Sequence, residues 1–300
     1  MAPPAATAHK SAVPAVLVAV IAWGIGPLLV RGMSVSGYTV ALYRMWLGVP
    51  TMLIAARLWG QPLTWQILRR CVFPGVFFGA SMLMGFVAVR TTSIAHATLI
   101  GALTPALVLL GINRFVGERS DPAKIPAAIM AFAGLALVIL NGSNTSGASI
   151  RGDVWAAANL LCFTVYFMNL KAQRNDNVDG WSFLAGVFVV GAVVITPFCL
   201  VLGSDVGEFA GRDLVYLAGM VAGPGIIGHG LITWASRHLP VGTTSLLTLG
   251  SPVVSCIGAW LVYDQELAGW QMIGAVLVFG GLAATVRDRP RRQEVGELVG

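Results

Sequence analysis

The sequence predicts an all-α membrane protein of ten transmembrane helices in two inverted repeats of five. Three observations predict it. The 300 residues are 56% hydrophobic and only 11% charged, against about 25% charged in soluble domains, whose surfaces need that charge. Apolar runs bounded by charges or by Gly, Pro and Asn clusters fall near 12–30, 38–57, 71–89, 95–113, 125–140, 154–170, 181–202, 214–236, 241–263 and 268–286. Each approaches the roughly 20 residues that a helix needs to cross the hydrocarbon core. The halves also align: a shift of 147 residues brings Ala88 onto Ala235, Arg90 onto Arg237, Thr104-Pro105 onto Ser251-Pro252, and Gly134-Leu135-Ala136 onto Gly281-Leu282-Ala283. Five is an odd number of spans, so two equivalent halves must face opposite ways across the bilayer.

The first run follows Lys10 and has the outline of a signal peptide. It lacks a small-residue cleavage site and fits the first place of the repeat, so it is kept as a span. Lysine and arginine set the orientation, because they accumulate in cytoplasmic loops. With the N-terminus inside, the inner segments hold 14 of the 19 basic residues and the outer loops four, Arg31, Arg90, Arg151 and Arg212. Both termini are therefore expected in the cytoplasm. The domains read as a first repeat over 11–140, an outside linker over 141–151, a second repeat over 152–286 and a cytoplasmic basic tail over 287–300. The net charge of +6 is explained by this placement: the tail's Arg287, Arg289, Arg291 and Arg292 face anionic lipid, not nucleic acid. Cys71, Cys162, Cys199 and Cys256 lie in apolar runs without ligand spacing and read as buried thiols.

The ordered set of motifs resembles the drug/metabolite transporter superfamily, in its ten-span members built from two EamA repeats. Ala22-Trp23-Gly24 and Arg31 belong to the first span, Arg44 to the second, and Ala95 to Pro105 to the fourth. Gly117-Glu118-Arg119 precedes Gly134 in the fifth, and the second half answers with Leu239-Pro240, Pro252, Glu266 and Gly281. Asp264-Gln265-Glu266 departs from the usual Gly-Glu of the second repeat. The resemblance implies a bacterial inner-membrane carrier, often an exporter, and includes the aromatic amino acid exporters.

Ionisable groups in mid-membrane are costly, which makes them functional candidates. Within the spans these are Arg44, His96 and His229, and no Asp or Glu. A drug-cation exporter needs a buried carboxylate, and a multi-anionic substrate wants several cations, so the composition suits a small neutral or zwitterionic solute. His96 and His229 either hold a substrate carboxylate, carry a proton, or serve as interhelical glue. Arg44, about two turns into its span, is as well read as an interfacial anchor that snorkels outward. Asn159 and Tyr166 offer hydrogen bonds, and Trp23, Met84 and Trp234 offer apolar walls; packing is the rival reading for each. Pro105 and Pro252 are symmetric hinge candidates. Spans three and eight are both interrupted by Gly and Pro, most densely at Gly223-Pro224-Gly225, and paired interruptions point to a binding site. Gly223, Gly225 and Gly228 also spell a dinucleotide-binding pattern, which means nothing inside an apolar span without a strand before it.

The expected function is a secondary transporter of small metabolites, most of all an exporter of amino acids, working by alternating access. A carrier of organic acids, nucleosides or sugars, or a passive channel, is the alternative. No catalytic constellation and no cofactor are expected; the partners are a small-molecule substrate and the lipid bilayer.

Overall fold

A computed structural model describes residues 11–104, 106–107, 125–140, 147–172, 178–235, 247–248, 250–265 and 269–286. Among them there is no strand. Eleven α-helices can be traced: α1 (Ala12–Gly32), α2 (Gly37–Trp59), α3 (Trp65–Thr91), α4 (Ile94–Gly101), α5 (Ile125–Leu140), α6 (Ile150–Ala172), α7 (Gly180–Leu202), α8 (Gly211–Met220), α9 (His229–Ala235), α10 (Gly250–Tyr263) and α11 (Gly269–Val286). A π-helical segment, Val221–Gly228, joins α8 to α9. Each of the ten expected spans contains at least part of one of these helices. Five of the spans hold a helical run long and apolar enough to cross a membrane, and three shorter apolar helices accompany them. Pro105, residues 141–146 of the expected linker and the basic tail lie outside the described residues.

The two-fold relation is visible in backbone contacts. A Cβ built on Gly134 of α5 would meet the carbonyl of Gly274 and the amide of Val278 in α11. One built on Gly281 of α11 would meet the carbonyl of Ala127 and the amide of Ala131 in α5. Both sets of partners are separated by the same 147 residues as Gly134 and Gly281. Each helix thus docks on the other through the same glycine, as a two-fold axis requires. Small residues at such points let membrane helices approach closely.

Helices α2 and α7 form the second symmetric pair. Both have 23 residues and end at glycine, Gly60 and Gly203, and their N-caps Ser36 and Asp179 stand 143 positions apart. The Ser36 hydroxyl accepts from the amide of Thr39, and the Asp179 carboxylate accepts from those of Trp181 and Ser182. Each such cap is worth about 1 kcal/mol to its helix. The offset grows from 143 to 147 because the 203–210 loop is longer than the 60–64 loop and because the π segment follows it. A π segment is the form taken by an α-helix that has gained a residue.

One end of the bundle is tied together by polar groups from both repeats. Arg31 donates through Nη1 to the carbonyls of Val89, Arg90 and Thr92, and Arg90 donates back to those of Arg31 and Met33. Across the repeats, Asp213 accepts from the amide and hydroxyl of Ser34, while Asp205 accepts from the amide and hydroxyl of Ser36 and the hydroxyl of Thr39. Asp153 accepts from Thr92 Oγ1 at 2.7 Å and faces His96 Nδ1 at 3.0 Å. Asp264, the non-glycine residue with positive φ among those described, turns the chain so that Gln265 Oε1 receives the Ile94 amide at the start of α4. At the opposite end, Ser182 Oγ donates to the Gln61 carbonyl and Asp179 accepts from the Gln61 amide.

Candidate functional site

The π segment differs from its counterpart in the first repeat. The sequence leads to an expectation of two interrupted spans, yet α3 runs unbroken as an α-helix past Pro74. Its glycines serve packing instead. A Cβ on Gly79 would stand 2.7 Å from the backbone of Gly191 in α7, and one on Gly75 would stand 2.6 Å from the Val190 side chain. In span eight the backbone widens over Val221–Gly228, with Pro224 inside. Proline has no amide hydrogen, so a carbonyl one turn earlier loses its intrahelical donor. Segments of this kind recur at functional sites.

Two helices from the first repeat face this segment. From α1, the Trp23 indole donates to the Pro224 carbonyl at 3.1 Å, and its ring meets His229 edge to face at 5.3 Å between centroids. The indole fits because residue 228 is glycine: a Cβ there would lie 2.4 Å from Trp23 Nε1. From α2 comes Arg44, with only 4% of its surface exposed. Its guanidinium lies over the Phe188 ring of α7 at 5.5 Å. Two glycines make room for it, since Cβ atoms on Gly48 and Gly225 would stand 3.0 Å from Nη1 and 3.2 Å from Nη2. Arg44 Nε has no hydrogen-bond partner, and no described carboxylate forms an ion pair with the side chain. Phe188 is itself 1% exposed and packed against Phe78 at 5.2 Å.

The other candidates fall into two further groups. Met84 and Asn159 meet at the α3–α6 seam, where Asn159 lies against Gly85 and Met84 Sδ is 3.9 Å from Cys162 Sγ. In the repeat this seam is the counterpart of the one between α1 and span eight. Tyr166, buried, packs at a tilt against Phe78 and Phe163 in the aromatic core. His96, 1% exposed, belongs to the tied end through Asp153. Trp234 in α9 is 36% exposed. Pro252 lies in α10. Pro105 lies outside the described residues.

Sequence reasoning underweighted Arg44. An arginine two turns into a span reads as an anchor reaching outward, and only the fold shows that Phe188, Gly48 and Gly225 enclose it instead. It also missed the carboxylates: α6 and α8 begin earlier than the apolar runs, so Asp153 and Asp213 are buried in their first turns. The departure at Asp264-Gln265 was the available signal for the α4 contact.

The profile of the EamA-like transporter family matches residues 10–140 and again 150–287. The chain is 26% identical over 205 residues to the aromatic amino acid exporter YddG of Ancylobacter novellus, covering 66% of this chain and 69% of that one. It is 21% identical over 199 residues to a riboflavin transporter of Rhizobium johnstonii, covering 63% and 61%. A solved crystal structure superposes with a TM-score of 0.64 at 22% identity, over 92% of this chain and 96% of the other. The apolar helices and the family match together make this a multi-pass membrane protein.

Proposed function

The chain belongs to the EamA-like transporter family, and from that premise we propose that it exports amino acids, aromatic ones included, across a bacterial inner membrane by alternating access. The observation that carries this reading is the cluster at the π segment. One buried guanidinium, one indole, one imidazole and a widened backbone meet where both repeats converge, which is the place of the substrate site in inverted-repeat carriers. No described carboxylate pairs with Arg44, which disfavours cationic drugs. A single arginine is too little charge for a sugar phosphate. Trp23 and Phe188 supply flat apolar surface, and the relative named as an aromatic amino acid exporter agrees with that chemistry.

Alternating access needs two equivalent seams in unequal states. The seam between α3 and α7 is closed backbone to backbone at Gly79 and Gly191. Its symmetry mate, between α2 and the π segment, touches over a shorter stretch around Arg44 and Gly225. In this reading the tied end is the outer gate, and it parts when the halves rock. Purified protein in liposomes preloaded with mixed unlabelled amino acids tests the proposal. Labelled tryptophan should accumulate transiently and saturably, at a rate that falls in a His229→Ala variant. Entry no faster than in empty liposomes would retire the amino acid assignment, and entry without saturation or counterflow would indicate a channel.

A further inference from the structure

We infer that Arg44 is the group that holds the substrate's carboxylate, and that the site selects monocarboxylates over amines of the same shape. This rests on the transporter reading above and adds the chemical feature the solute must carry. The first support is the state of the side chain. A guanidinium has five donors and no acceptor; this one is almost wholly buried, and its Nε reaches no partner. An isolated buried cation is a burden on a fold, and proteins normally pair it. No described carboxylate relieves it, so an anion brought in from outside is the missing partner.

The second support is geometric. Phe188 covers one face of the guanidinium, and Gly48 and Gly225 flank Nη1 and Nη2 without side chains of their own. A guanidinium binds a flat, two-oxygen acceptor bidentately. A phosphate dianion would need a second cation, and none of the described residues facing Arg44 supplies a permanent one. His229, on the same side, is a neutral donor or acceptor when unprotonated.

The third is the neighbouring aromatic ring of Trp23, whose Nε1 lies against Gly228. This indole, one turn on from Gly225, is placed for the side chain.

The test uses the full chain in liposomes with three probes as competitors of labelled tryptophan counterflow: tryptophan, indole-3-propionate without the amine, and tryptamine without the carboxylate. Wild type should be inhibited by the first two and about tenfold less by tryptamine, the size expected when one charge-assisted contact is lost. Arg44→Gln should remove the advantage of the carboxylates. It should also raise the melting temperature of ligand-free protein, because an uncompensated charge has gone, whereas a purely structural arginine would lower it. Arg44→Lys keeps the charge and should retain the order of preference at weaker affinity. Equal competition by tryptamine and tryptophan in wild type, or an unchanged preference in Arg44→Gln, would overturn the inference while leaving the carrier intact. Absence of any counterflow in wild type would instead remove the transport reading on which it rests.

Discussion

Two glycines in the same π segment should respond oppositely to alanine. At Gly228 a Cβ would stand 2.4 Å from Trp23 Nε1 and 2.5 Å from Cδ1. Ordinary contact begins at 3.4 Å, so the indole must retreat by roughly 1 Å. That retreat stretches the 3.1 Å bond to the Pro224 carbonyl beyond hydrogen-bonding range. Overpacking of this kind costs about 1–3 kcal/mol, and the lost bond adds about 1 kcal/mol. Gly228→Ala should therefore lose about 2–4 kcal/mol of stability. At Gly223 no atom lies within 4 Å of the new Cβ, and alanine is the better helix former by up to about 1 kcal/mol. Gly223→Ala should be neutral or mildly stabilising. Unfolding of both variants in detergent, followed by far-UV circular dichroism against denaturant, measures the difference. If Gly228→Ala proved as benign as Gly223→Ala, the placement of Trp23 against the π segment would be wrong.

The two-fold packing of α5 and α11 makes Gly134→Ala and Gly281→Ala equivalent perturbations. Each should cost about 1–3 kcal/mol, and the double variant should cost less than the sum because the damage is shared; the same denaturation assay reads it. Asp153→Asn leaves Thr92 and His96 without a charged acceptor and should cost about 1–3 kcal/mol, seen as a lower melting temperature at neutral pH. Burial raises the pKa of Asp205, but hydrogen bonds from Thr39 and Ser36 lower it by more, so its carboxyl sits below the ordinary range. A folded pKa below the unfolded one gives stability that is present above the unfolded value and lost as pH falls through the folded one. Asp205→Asn should be less stable at neutral pH and should flatten the acid side of a melting-temperature profile.

The helical class, the ten places and the inverted halves were legible because burial in lipid forces apolar runs of spanning length and because Gly134 and Gly281 had to remain small. The site was legible only in part. Gly223-Pro224-Gly225 stood out through residues that cannot make an ordinary helix, and the structure places them beside Trp23 and His229. Arg44 was ambiguous, since an arginine near a span end obeys the same sequence rule whether it snorkels or turns inward; Gly48 and Gly225, far apart in sequence, decide that. His96 looked like a lone histidine because its partner Asp153 lies just before an apolar run. The symmetry of spans three and eight misled, since glycines that interrupt one helix serve as close-packing points in the other.

The claim that the two repeats rock about the site is tested most directly at the tied end. Cysteines at Ser34 and Asp213, whose side chains meet across the repeats, can be joined by a short reducible cross-linker in liposomes. The account predicts that tryptophan counterflow stops when the bridge forms and returns when it is reduced. Counterflow that continues with the bridge intact would contradict it.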